Sequence, residues 1–152
     1  MSPATRRRIL AGMGAAIGLG AAAAIWLLAF GERLPNGPVE IVWDRETCAH
    51  CKMHIGEPAF AAQLQTKSGT VLNFDDPGCL IVYAAKNGPA IHARYFRDHR
   101  GAGWLREERA AFAPVGRSPM GYGYGAVRAG PDQKGAIGFA DLSARIERKE
   151  RE

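Results

Sequence analysis

The feature that most constrains the fold of this chain is an uninterrupted apolar run near its amino terminus. The 22 positions from Ile9 to Phe30 carry no charged side chain. As an α-helix rising ~1.5 Å per residue, they would span roughly 33 Å, which is enough to cross a bilayer. Three arginines at residues 6–8 precede the run, whereas only Glu32 and Arg33 follow it closely. By the positive-inside rule, this asymmetry predicts a cytoplasmic amino terminus and an exported remainder.

The apolar run divides the chain into four predicted segments. Residues 1–8 are a basic cytoplasmic terminus, residues 9–30 a transmembrane anchor or uncleaved signal, residues 31–38 a linker, and residues 39–152 a periplasmic domain. A secretory signal has a shorter apolar region that ends at a small-residue cleavage site, so the sequence leaves cleavage open. The exported part is long enough to bury the core of one small domain.

The charge of the chain gives no indication of a nucleic-acid partner. The formal net charge is +5, but the arginines at residues 6–8 contribute three of those charges. From Gly31 onward, 17 basic residues stand against 15 acidic ones. Since this segment has no stripe of basic and aromatic residues, we expect no nucleic-acid binding.

The residues best suited to chemistry cluster in one seven-residue segment, Cys48–His54. They contain two thiols, one thioether and two imidazoles, at Cys48, His50, Cys51, Met53 and His54. Thiolate and thioether sulfur favour Cu(I), whereas zinc has little use for methionine. A structural disulfide or a thiol redox pair is the alternative in an oxidising compartment. Whether either histidine joins a metal site stays open.

Two other kinds of site are excluded by the spacing around this cluster. Attachment of c-type haem requires His directly after the second cysteine, and that position is Lys52. A closed zinc site requires a second ligand pair, whereas the chain has only one further thiol, Cys79. Cys79 falls among apolar positions of a predicted helix, where a buried thiol usually acts as a small hydrophobe. We therefore predict a structural role for Cys79.

Alternating and periodic apolar positions predict strands around one central helix. The predicted strands are Val39–Trp43, Ala59–Gln65, Thr70–Phe74, Ile91–Phe96, Ala113–Val115 and Ala126–Arg128. The predicted helices are a central one that starts at Asp75–Pro77 and ends near Asn87, a short one over Arg106–Phe112, and a last one over Asp141–Lys149. Asp75 and Asp76 are interpreted as helix caps, because no histidine or nucleophile adjoins them in sequence.

The other informative stretch is the glycine-rich loop from Gly116 to Gly125, which contains Met120. Its glycine spacing differs from the dinucleotide-binding fingerprint, and a strand follows it rather than a helix, so nucleotide binding is not expected. A methionine in such a loop either covers an apolar patch or offers a soft ligand.

Together these motifs carry a resemblance to a known family. The Cys48–His54 cluster, the Asn73–Cys79 turn and the Ser118–Gly121 loop make the sequence similar to the NosL family, accessory proteins of nitrous oxide reductase, over about residues 44–142. The resemblance implies an α+β fold, a small single domain of strand-strand-helix-strand units following the N-terminal transmembrane helix. Typical members have Gly at the position of Lys52, and typical members are lipoproteins.

The resemblance also implies a function and a site. It implies a non-enzymatic, membrane-anchored periplasmic chaperone whose Cu(I) is held by Cys51, Met53 and Met120, with Cys48 as a further metal-site residue. Its expected partner is apo nitrous oxide reductase or the ABC-type membrane complex that delivers copper to it. Two alternatives stay open: a periplasmic thiol-disulfide oxidoreductase that uses Cys48 and Cys51, and a non-catalytic interaction domain with a structural disulfide.

Overall fold

The computed structural model describes residues 34–152, and Leu34–Glu152 form one compact unit with its own hydrophobic core. The predicted basic terminus, the predicted apolar span and most of the predicted linker lie outside the described residues. Among the helices that are described, none has both the length and the apolar character that a membrane crossing requires.

The first half of this unit is an antiparallel sheet with a helix packed on it. Strands β1 (Ala62–Thr66) and β2 (Val71–Phe74) form a hairpin, helix α1 (Pro77–Asn87) follows, and β3 (Ile91–Arg97) returns beside β1. With β4 (Trp104–Arg106), the strand order is β2-β1-β3-β4. The predicted hairpin, the predicted central helix and the predicted strand after it are therefore confirmed.

The second half adds a two-stranded sheet and a terminal helix. Strands β5 (Ala110–Pro114) and β6 (Tyr124–Arg128) pair antiparallel, and helix α2 (Phe139–Lys149) buries Leu142 and Ile146. The α+β class is confirmed. Residues 62–97 form one strand-strand-helix-strand unit, whereas residues 104–149 run strand-strand-strand-helix and do not repeat it.

Aromatic side chains join the two halves. Phe96 of β3 packs edge-on against Phe112 of β5, with ring centroids 4.9 Å apart, and both lie beside Phe139 of α2. Phe96 and Phe112 are fully buried. Because buried aromatic pairs contribute both area and favourable edge-to-face geometry, this cluster ties both sheets and α2 into one core.

Two predictions of local structure were wrong. The segment Val39–Trp43 is not a strand. The N–H and carbonyl of Val39 instead pair with the carboxamide of buried Gln63, at 2.8 and 2.9 Å, so a side chain replaces the neighbouring strand. The segment 106–112 is not a helix but a single 3₁₀ turn, Glu107–Arg109, between β4 and β5. Phe112 pairs in the β5–β6 ladder and there enters the core.

Candidate metal centre

The cysteine loop is a tight turn closed by its own backbone. The Cys48 N–H donates to the Met53 carbonyl at 2.8 Å, and the Lys52 N–H donates to the Cys48 carbonyl at 3.1 Å. Lys52 has a φ of +66°, in the left-handed region that favours glycine. Its ammonium donates to the Ala49 carbonyl at 2.7 Å. The backbone therefore adopts at Lys52 a conformation that glycine reaches without strain, and the lysine side chain braces the turn.

The same loop is fixed to the sheet. The Ala49 N–H donates to the carbonyl of Asn73 on β2 at 2.8 Å. The Asn73 side chain donates in turn to the Glu46 carboxylate at 2.6 Å, and the other oxygen of that carboxylate accepts from the Val42 N–H at 2.8 Å. The amino-terminal side of the turn is thus held against β2, which limits the positions available to its sulfur atoms.

Helix α1 brings a third thiol to the loop. Asp76 caps the helix by accepting from the Gly78 N–H at 2.8 Å, and Pro77 opens the first turn, which also contains Cys79. The Sγ atoms of Cys48, Cys51 and Cys79 all lie within 4.8 Å of one another, and no disulfide joins any of them. The sequence prediction for Cys79 accounts for its burial but missed its neighbours, which lie 28 and 31 positions earlier in the chain.

The three thiols differ in accessibility and in acidity. Cys48 and Cys79 are 0% exposed, whereas Cys51 is half-buried. The pKa of Cys48 is lowered to about 5, chiefly because the Cys79 thiol donates a hydrogen bond to it, and backbone groups of the loop add to that effect against the cost of burial. The same hydrogen bond, together with burial, raises the pKa of Cys79 strongly. Burial raises the pKa of Cys51. The apo cluster therefore holds one thiolate at neutral pH.

Two buried carboxyl groups add negative potential beside that thiolate. Burial raises the pKa of Asp76, while hydrogen bonds from Ser118, Gly78 and Met120 oppose the rise. Burial also raises the pKa of Asp75, with a further upward contribution from the Cys48 charge, and Asp75 Oδ1 has no hydrogen-bond partner in the described chain. A buried unpaired carboxylate oxygen next to a thiolate is unfavourable without a cation nearby.

The glycine-rich loop contacts the amino-terminal end of helix α1. The Met120 N–H donates to Asp76 Oδ2 at 3.2 Å, and Ser118 Oγ accepts from the Gly123 N–H at 3.0 Å. The Tyr122 ring lies directly over Gly78, where an added Cβ would stand 2.2 Å from ring carbons. Asp76 therefore fixes the loop of Met120 to the helix turn of Cys79.

The predicted ligands are brought together only in part. The Sγ atoms of Cys48 and Cys51 lie within 4.8 Å of each other, and the role of both as metal ligands stays a prediction. The Met53 side chain is 50% exposed at the surface of the turn, and Met120 is half-buried against the core. Neither His50 nor His54 belongs to the group of ligand atoms within 4.8 Å of one another among the described residues. The roles of Met53 and Met120 as metal ligands stay predictions.

Comparison with known proteins gives one structural likeness. No protein-family model matches the chain, and no curated protein is similar to it in sequence. Its structure is similar to the crystal structure of the copper chaperone NosL from Shewanella denitrificans, with a TM-score of 0.49 and 21% identity over 75% of this chain and 89% of that one. This is the family that the motifs resemble.

Proposed function

We propose that this protein binds Cu(I) at Cys48, Cys51 and Cys79 and acts as a periplasmic copper chaperone for the maturation of nitrous oxide reductase. The observation that carries the proposal is the mutual approach of the three Sγ atoms to within 4.8 Å. A metal bound at ~2.3 Å to each of three sulfurs holds them roughly 4 Å apart. The thiols therefore need little movement to share one ion.

The donor set favours copper over zinc. Three thiolates, with the thioether of Met53 on the same turn, form a soft ligand set of the kind that Cu(I) prefers. Structural zinc sites are almost always closed by four ligands, and the cluster offers three. The buried carboxyl groups of Asp75 and Asp76 favour a cation without supplying a ligand that copper would choose.

The difference in burial among the thiols suits a protein that releases its cargo. Cys48 and Cys79 retain the ion inside the domain, whereas Cys51 lies at the surface of the turn. A partner's donor can therefore replace Cys51 first and the two buried sulfurs afterwards. Delivery to apo nitrous oxide reductase, or to the ABC-type membrane complex that serves it, is proposed from the motif resemblance.

The second candidate function, a thiol-disulfide oxidoreductase, has one observation in its favour, namely the lowered pKa of Cys48. Such enzymes attack with an accessible thiolate of low pKa. Here the thiol of low pKa is fully buried, and the accessible Cys51 has a raised pKa. The arrangement is the reverse of what exchange with a substrate disulfide requires, so we propose a binding protein rather than an enzyme.

The test is an anaerobic Cu(I) titration of the reduced segment Leu34–Glu152 in competition with a chromogenic chelator. We expect the parent to bind one tight equivalent and the Cys51→Ser variant to bind far more weakly, by more than the ~10–100-fold that removal of an outer-shell partner costs. The same titration with Zn²⁺ should show weaker binding. A parent that fails to compete for Cu(I), while turning over in an insulin-reduction assay, would favour the oxidoreductase.

A further inference from the structure

A groove runs along the outer face of the β3–β4 hairpin. In this hairpin Arg97 stands opposite Trp104 and Tyr95 opposite Arg106. Since opposite residues share a face and neighbours alternate, these four side chains project away from the buried Phe96–Leu105 pair. Two adjoining cavities of about 400 and 330 Å³ lie here and share Pro38 and Trp104 in their walls. We call this surface the arginine groove; its defining residues are Pro38, Arg97, Trp104, Arg106, Arg109 and Arg128.

The walls of the arginine groove hold four arginines and one acidic residue, Glu40, so positive charge is in excess there. Within residues 34–152, Arg97, Arg109 and Arg128 form no ion pair, and Arg106 pairs only with the exposed Glu108, at 3.3 Å. Arg97 Nε is buried without a hydrogen-bond partner, and its guanidinium lies 5.5 Å from the centre of the Trp104 ring. Guanidinium groups held beside an aromatic ring are suited to bidentate recognition of phosphate.

Only a short length of chain separates the arginine groove from the predicted anchor. Pro38 lines both cavities. The residues on either side of it are held on the sheet by buried glutamines, because Gln65 donates to the Gly37 carbonyl at 2.7 Å and Gln63 pairs with Val39. Pro38 comes eight residues after Phe30, a length of chain that spans at most about 29 Å.

We propose that the arginine groove binds the phosphate headgroups of an anionic lipid surface. The tether length sets an upper limit on the distance between Pro38 and the end of the predicted anchor, and the two cavities place arginines beside Trp43 and Trp104, residue types that membrane interfaces favour. Headgroup binding at this face is a function separate from metal binding. It requires neither copper nor the cysteines.

The test uses the segment Leu34–Glu152, which has its own core and lacks the predicted anchor, in flotation with vesicles of phosphatidylcholine with and without phosphatidylglycerol. We expect binding only where phosphatidylglycerol is present. Replacing Arg106, Arg109 and Arg128 together by Gln should weaken vesicle binding on the order of 100-fold, since each of the three arginines contributes a similar share of the attraction to an anionic surface. The matched control replaces Lys67, Lys134 and Arg151, all exposed, by Gln and removes the same formal charge.

The control keeps the proposal open to refutation. Binding lost in the groove variant and kept in the control variant, with Cu(I) binding equal in both, supports the proposal. Equal loss in the two variants would mean that net charge alone is responsible and would overturn it, as would failure of the parent to float with phosphatidylglycerol. Displacement by inorganic phosphate at matched ionic strength would identify a small-anion site instead, which also overturns the membrane assignment.

Discussion

Because the Cys79 thiol donates a hydrogen bond to Cys48, Cys79→Ala and Cys79→Ser should differ in their effect on the pKa of Cys48. The Cys79 thiol is the main reason that the pKa of Cys48 is lowered from its ordinary 9.0 to about 5. In Cys79→Ala this donor is lost, whereas in Cys79→Ser a hydroxyl of similar reach still donates. Both variants lack the third soft ligand. The pKa of Cys48 should therefore differ between the two variants, whereas the Cu(I) affinity should fall in both.

The magnitudes follow from the contact. A hydrogen bond to a charged group contributes about 1.5–3 kcal/mol, and one pKa unit corresponds to about 1.4 kcal/mol. We therefore expect Cys79→Ala to raise the pKa of Cys48 from about 5 by at least roughly one to two units, and Cys79→Ser to leave it near 5. Each variant should bind Cu(I) more weakly by over roughly 100-fold, since a direct ligand matters more than an outer-shell partner.

The assay is thiolate absorbance against pH on the anaerobic apo protein, followed by Cu(I) competition with a chelator. Substituting the fully buried Cys79 costs about 1–3 kcal/mol of folding free energy, which a domain of ordinary stability, ~5–15 kcal/mol, tolerates. Cu(I) affinity equal to the parent's in both variants would refute the three-thiol site. Identical Cys48 titrations in the Ala and Ser variants would refute the hydrogen-bond explanation of the low pKa.

Three further outcomes are expected. The free energy of unfolding of the apo domain should increase with pH between about 5 and 9, relative to Cys48→Ser, by up to about 1.4 kcal/mol per unit in urea titrations, because stability from a lowered folded pKa is lost as pH falls through that pKa. Gly78→Ala should destabilise by about 1–3 kcal/mol through its clash with Tyr122, whereas Gly103→Ala, which meets nothing within 4 Å, should be near neutral in the same thermal or urea scan. Met120→Ala should weaken Cu(I) binding with three thiols still counted by a thiol reagent, and unchanged affinity would contradict the predicted role of that methionine.

The local elements of the first half could be predicted because local signals agree with the tertiary structure there. The β1–β2 connection carries a glycine with φ +87° at Gly69. Helix α1 is preceded by the capping Asp76 and followed by Gly88, which has a φ of +54°. Caps and turns depend on a few neighbouring residues, so the sequence contains all that is needed to identify them.

The segments that were predicted wrongly depend on distant partners. Val39–Trp43 has the alternation of a strand, but the backbone of Val39 pairs with a side chain 24 residues later, that of Gln63. Residues 106–112 have the charges of a short helix, whereas Ala110 and Phe112 are buried and pair with β6. Periodicity does not distinguish a short helix from a turn between two strands when the decisive contacts are tertiary.

Only part of the candidate site could be predicted from the sequence, because one of its three thiols is brought in by tertiary contacts. Cys48 and Cys51 are three positions apart along the chain, so their spacing indicated a shared site. Cys79 occupies an apolar helix position, and its role becomes evident only once β2 places the helix start against the loop. One signal was present: three thiols in a chain expected to be exported leave at least one outside any internal disulfide, which indicates a reactive or metal-binding sulfur.

The start of α1, rather than the cysteine loop, is the point at which the candidate site is assembled. Asp76 accepts from Gly78 inside the helix and from Met120 in the glycine-rich loop, and it does so while fully buried. Each of its carboxylate oxygens has a separate N–H donor, so an Asn at this position would direct an amide N–H toward one donor and lose that bond. Asp76 thus couples helix capping to the position of the Met120 loop. Substitution of Asp76 would therefore disturb both the helix turn that contains Cys79 and the position of the Met120 loop, although Asp76 is bonded to neither sulfur atom.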